Sequence, residues 1–202
     1  MQALRRGIAV AAVAIALAIT MTACGGGSGD GSSGDGGAGG EKTEYTNAQY
    51  GFTLMYSEPL SVVTLTPSNG EEYAIAFADK DGPLVDDQYA NGLRVAVHPI
   101  GRKVKAKDVP KLQADLQTAI SKMIADIPGG KMTGEVTPLE LNGTPGFSVD
   151  YQFTKGGEQL TCRLYILIKG ENEFDLTTQA VSADWDSMKG TLEETVQTFT
   201  LD

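Results

Sequence analysis

After Glu41, apolar and polar residues alternate one for one along much of the chain. Phe52, Leu54 and Tyr56 alternate with Thr53 and Met55, Tyr73, Ile75 and Phe77 with Ala74, Ala76 and Ala78, and Leu93, Val95 and Val97 with Arg94, Ala96 and His98. Further on, Phe147, Val149, Tyr151 and Phe153 alternate with Ser148, Asp150 and Gln152. Leu160, Cys162, Leu164, Ile166 and Ile168 form another such row, and Phe174 and Leu176 alternate with Asp175 and Thr177. Successive side chains of a strand point to opposite faces, so each segment predicts a strand with one apolar and one mostly polar face. Asn142-Gly143, Lys155-Gly156-Gly157 and Gly170-Glu171-Asn172 separate the later segments, and links this short join antiparallel neighbours.

Two stretches change period. From Asp108, a good N-cap, Leu112, Leu116, Ala119, Ile120, Met123, Ile124 and Ile127 recur at helical spacing until Pro128-Gly129-Gly130 ends the pattern. Near the carboxyl end Trp185, Met188, Leu192, Val196 and Phe199 do the same. Gly190 is expected to divide this second helix, because Thr191-Leu192-Glu193-Glu194 reads as a capping box that restarts it. The order is three or four strands, a helix, a meander of about four strands and a helix. The fold class expected is α+β, an antiparallel sheet packed with helices. The polar strand faces suggest that one side of the sheet is only lightly covered.

The amino terminus follows a different pattern. Arg5 and Arg6 precede an apolar run from Ile8 to Ile19. That run is shorter than the ~20 residues needed to span a bilayer and suits the core of a secretory signal. Thr20-Met21-Thr22-Ala23-Cys24 then resembles the lipobox of bacterial lipoproteins, with Met21 where Leu is usual. The resemblance implies cleavage before Cys24 and acylation of that cysteine, and two or three chains give stable anchoring. Gly25 to Gly40 is Gly with a few Ser, Asp and Ala, a coil whose span is roughly 20–24 Å. The expected organisation is a signal peptide over 1–23, lipidated Cys24 with its tether over 24–40, and one α/β domain over 41–202. That arrangement places the domain at the extracytoplasmic face of a membrane.

Charge narrows the partners. The chain carries a net −10, and Arg5 and Arg6 are lost with the signal while every acidic residue stays. So acidic a domain disfavours nucleic acid, whose phosphates need Lys and Arg. With Cys24 acylated, Cys162 has no partner for an intrachain disulfide. Its place in an apolar row makes it an inert core thiol.

Tyr50-Gly51-Phe52-Thr53-Leu54-Met55-Tyr56, followed by Pro59, resembles the opening strand of Mog1/PsbP-like domains. Val196-Gln197-Thr198-Phe199 resembles the end of their last helix, and the order of elements between is similar. The resemblance implies an α/β/α sandwich around an antiparallel sheet, usually a binding or assembly module without an active site. It carries over no functional residue.

Catalytic chemistry finds little support. His98 is the only histidine, no nucleophile elbow accompanies it, and Pro99 follows it as at a strand end. One His and one free Cys are too few for zinc, and Asp79-Lys80-Asp81-Gly82 lacks the remaining ligands of a calcium loop. No metal or cofactor is expected. Two candidate contact surfaces remain. Arg102, Lys103, Lys105 and Lys107 form a basic loop suited to anionic headgroups or wall polymers. Arg94, His98, Asp150, Gln152, Arg163 and Tyr165 are expected to share one outward polar sheet face. The reading is a noncatalytic envelope module, bound to the membrane through Cys24 and to an unidentified envelope protein or polymer. The alternative is a carrier of an apolar small ligand, which needs a cavity of ~300–1,000 Å³ between sheet and helices.

Overall fold

A computed structural model of the chain describes residues 41–202, so the signal, Cys24 and tether readings lie outside the described residues. Each alternating segment is a strand. The strands are β1 (Thr43–Asn47), β2 (Phe52–Tyr56), β3 (Leu60–Thr64), β4 (Tyr73–Asp79), β5 (Leu84–Val85), β6 (Gln88–Tyr89), β7 (Gly92–Val104), β8 (Lys131–Met132), β9 (Thr137–Leu141), β10 (Thr144–Lys155), β11 (Glu158–Val181) and β12 (Thr200–Leu201). A 3-10 helix (Ala106–Leu112) leads into α1 (Gln113–Ala125), and α2 (Trp185–Gln197) precedes the last strand.

The large antiparallel sheet runs β3-β4-β7-β11-β10-β8, with β9 also on β10, and a small sheet runs β1-β2-β12. The long β11 folds back on itself. The Ser182 amide donates to the Gln159 carbonyl at 2.8 Å and the Thr178 hydroxyl to that of Arg163 at 3.2 Å. A straight strand would hold residues so far apart in sequence tens of ångströms from each other. The reversal falls at Gly170, whose φ of 67° is where glycine avoids a Cβ clash. The first arm pairs with β10 and the second with β7, as the turn at Gly170-Glu171-Asn172 predicts.

Both faces of the sheet are covered, which corrects the expectation of one lightly covered face. On one side α2 and the small sheet pack Met188, Leu192, Val196, Phe52 and Leu54 against Leu93, Val95, Val97, Leu167, Phe174 and Leu176. On the other, Val109, Leu112, Leu116, Ile120 and Ile124 pack against Val149, Tyr151, Cys162, Leu164 and Ile166. Over β4 this second face carries Ala74, Ala76 and Ala78, small enough for Leu65, Val63 and Tyr89 to close over them. A two-faced core explains why the alanines sit where a half-solvated sheet would carry polar residues.

Two helix details differ from expectation. Asp108 does not cap a helix that starts beside it; it lies in the 3-10 segment, whose interior Pro110 lacks a backbone donor, and the α-helix begins at Gln113. Gly190 does not divide α2, which runs unbroken from Trp185. The apolar row of Met188, Leu192 and Val196 is buried on the core side, and that burial outweighs the ~1 kcal/mol helix penalty of one glycine.

Candidate functional site

Strand parity separates the residues expected to share one polar face. Arg94 lies opposite Thr177, and His98 opposite Glu173, on the α1 side of the sheet. Arg163 lies opposite Asp150, and Tyr165 opposite Ser148, on the α2 side. The outward face is therefore two environments, one partly exposed and tied to α2, the other buried.

On the α2 side Arg163 grips Asp150 through Nε at 2.5 Å and a terminal nitrogen at 2.9 Å, and reaches Glu193 of α2 at 2.7 Å. The Asp150 hydrogen bond, the largest influence, raises the guanidinium above its ordinary value against the effect of burial. With its side chain 28% exposed and two carboxylates in hand, Arg163 fastens α2 to the sheet. Tyr165 is buried in the core beneath it. Gln152 spends its amide on the Thr161 hydroxyl at 3.2 Å.

On the α1 side is a buried polar cluster. Arg94 holds both oxygens of Glu71, from the loop before β4, at 2.6 Å. His98 and Asp175 have side chains only 1% exposed, with Nε2 and Oδ2 3.5 Å apart. Burial holds the imidazole below its ordinary value, outweighing the opposing influence of Glu71. Burial also raises Asp175 well above the carboxylate range, reinforced by Glu173 next to it on the same face. Burial pushes Glu173 up to about 7. Tyr151 lies behind with no hydrogen-bond partner for its hydroxyl, and burial raises both it and Cys162. Glu173 and Asp175 thus hold their protons more tightly than exposed carboxyl groups do, beside the Arg94–Glu71 ion pair. Closed off from solvent, His98 cannot meet a substrate, and among the described residues no group of three or more His, Cys, Asp or Glu is placed to hold a metal.

The third candidate is open. Past His98, β7 slips register against β11 between Asn172 and Gly170, with Gly101 at φ 64°. Such a slip re-aims a strand. The end of β7 then runs beside the 3-10 helix, and Arg102, Lys103, Val104, Lys105, Lys107, Asp108, Lys111 and Leu112 surround a half-open hollow of about 350 Å³. Only Lys111 has an ion-pair partner, Asp108 at 2.5 Å; Arg102, Lys103, Lys105 and Lys107 have none among the described residues. The local field shows in Asp108, whose carboxyl is held below its ordinary value first by the Lys111 hydrogen bond and then by Lys111, Lys107 and Lys105 nearby. Inward of this mouth a hollow of about 10 Å³ is lined by Ile100, Arg102, Val104, Leu112, Leu116, Ile168 and Glu173. That is room for about one water, far from the size of a ligand cavity.

The basic loop was legible as a charge run, but not the hollow, which needs the strand slip and the 3-10 turn together. Glu71, Glu173 and Asp175 were missed altogether. The signal available was the alanine row on β4, which marks that face as buried and makes any acid on it a buried acid.

No protein-family model and no curated protein matches the sequence. Solved structures do match. Cyanobacterial PsbP from Synechocystis superposes with a TM-score of 0.56 at 11% identity, over 84% of this chain and 98% of that one. LpqN of Mycobacterium tuberculosis, described as involved in cell envelope biogenesis, gives 0.51 at 12% identity, over 80% of this chain and 90% of that one. At such identities the likeness is one of architecture: the chain has a PsbP-like fold.

Proposed function

We propose that this chain is a noncatalytic binding module tethered through lipid on Cys24 at the outer face of a membrane, and that the basic hollow is its contact with anionic envelope components. One observation carries the reading. In a chain of net charge −10, four cations within six residues, without ion-pair partners among the described residues, converge on a single hollow. Elsewhere the polar chemistry of the sheet is either buried or committed, Arg94 to Glu71 and Arg163 to Asp150 and Glu193. Concentrated positive charge on an acidic body both attracts anions and orients them. LpqN, with the same fold, is described in an envelope setting, the setting this reading proposes here. The carrier alternative has less in its favour, since the hollow of about 350 Å³ is half-open and rimmed by cations, and the apolar one inward of it is about 10 Å³.

The test is charge reversal of Arg102, Lys103, Lys105 and Lys107 to Glu, beside Arg163→Glu, with capture of anionic envelope fractions by the intact protein. The reading expects the loop variant to lose capture. Loss only with Arg163→Glu would move the contact to the α2 side.

A further inference from the structure

The two hollows share a wall. Arg102, Val104 and Leu112 line both the basic mouth and the small inner space, and Glu173 lines the inner one. Arg102 differs from its neighbours on the rim: it is half-buried and alternates with exposed Lys103, on the side of the strand shared with Ile100 and Val104. Among the described residues it is thus the one cation that lines both the mouth and the hollow holding the buried carboxyl.

Resting on the reading above, we propose that the basic hollow is a site for phosphate groups of the envelope, and that a proton on Glu173 controls it through Arg102. With Glu173 neutral, Arg102 is free to turn to the mouth and join Lys103, Lys105 and Lys107 around a phosphate. A planar guanidinium beside flexible ammonium groups suits phosphate oxygens. With Glu173 ionised, a carboxylate shares the inner hollow with Arg102 and the apolar Ile100, Val104, Leu112, Leu116 and Ile168. A charge in such surroundings needs a counter-charge.

The other groups around Glu173 cannot supply one. Burial lowers His98, its cross-strand partner, and so disfavours its charged form. Asp175 on its own strand is itself a proton-holding acid, and Arg94 is held by Glu71 with two short bonds. The residues facing it from the 3-10 helix and α1 are Leu112 and Leu116. Arg102 remains, and an Arg102 turned inward is lost to the mouth. Because burial pushes Glu173 up to about 7, the exchange falls near neutral pH. Linkage makes it reciprocal: a phosphate in the mouth favours the proton on Glu173, so binding takes up protons.

The experiment uses the full lipidated chain in a neutral detergent, titrated by calorimetry with polyphosphate and with mixed micelles containing phosphatidylglycerol. With long chains, whose few titrating ends are negligible, the internal phosphates of the first and the diester of the second keep constant charge from pH 6 to 8, so the pH dependence read belongs to the protein. The expected result is a several-fold fall in affinity between pH 6 and 8, with proton uptake on binding. Glu173→Gln keeps the pH 6 affinity at pH 8, and Arg102→Gln binds weakly at both. Binding in the polyphosphate arm alone assigns the site to a wall polymer, and binding in the micelle arm alone to a headgroup. Wild-type affinity that is flat with pH, or a fall that survives in Glu173→Gln, overturns the coupling and leaves the proposed function standing. No binding of either probe, unaltered by reversing the four cations, overturns both.

Discussion

Arg94 and Glu71 form a charge pair inside the fold, and their energetics follow from what each would be alone. Removing one partner leaves the other buried and uncompensated, whereas removing both leaves an apolar gap. Arg94→Met is expected to destabilise by about 3–5 kcal/mol in denaturant unfolding, and the double variant Arg94→Met, Glu71→Leu to recover most of that. A double variant no better than the single one would show that the pair is not an isolated unit. Glu173 makes the pH-dependent counterpart. Its carboxyl ionises near 4.5 in an unfolded chain but only at about 7 in the folded one, so the folded state holds an extra proton between those values. The contribution of Glu173 to stability is full below pH 4.5 and is lost as pH rises through 7. His98, lowered by burial, acts in the opposite sense below its ordinary value of 6.5. Glu173→Gln is therefore expected to raise the unfolding midpoint at pH 8 relative to wild type and to narrow the gap at pH 4.5; equal gains at both would reject the assignment.

Elements show what the sequence could disclose. The strand rows from Phe52 to Leu176 and the turn at Gly170-Glu171-Asn172 are legible, because period-two alternation and turn residues are local signals. The side on which a polar row ends up is not local. Arg94 and Arg163 both alternate with apolar neighbours, yet one meets the Glu71 loop and the other α2. Only the pairing of β7 with the second arm of β11 decides that, and pairing is a long-range fact. Gly190 misleads for a related reason: a capping box competes for a helix start, and tertiary burial of α2 wins. Arg163 offers a check at this scale. Arg163→Ala removes its bonds to Asp150 and Glu193, partly exposed, and is expected to cost about 1–2 kcal/mol while leaving anion binding intact. Unchanged stability would deny it the role of fastening α2.

The whole molecule has a polarity along β7. The chain enters where Lys42 meets Glu194 of α2 at 2.6 Å, and the neighbouring Glu193 meets Arg163. Thr178 bonds to Arg163 and pairs with Leu93, at the start of β7. The basic mouth lies at the other end of that strand, roughly 30 Å away at ~3.3 Å per residue. Anchoring itself has its own test: Cys24→Ala should leave an unprocessed precursor without acyl label, and normal-sized, membrane-bound protein from that variant would contradict lipidation. The central claim is that the basic hollow makes the contact, and capture of anionic envelope components after charge reversal tests it most directly. With Arg102, Lys103, Lys105 and Lys107 all changed to Glu and the folded state verified by an unaltered unfolding midpoint, the account predicts loss of capture to the level of an unrelated acidic lipoprotein. Capture at the wild-type level by that folded variant would contradict it.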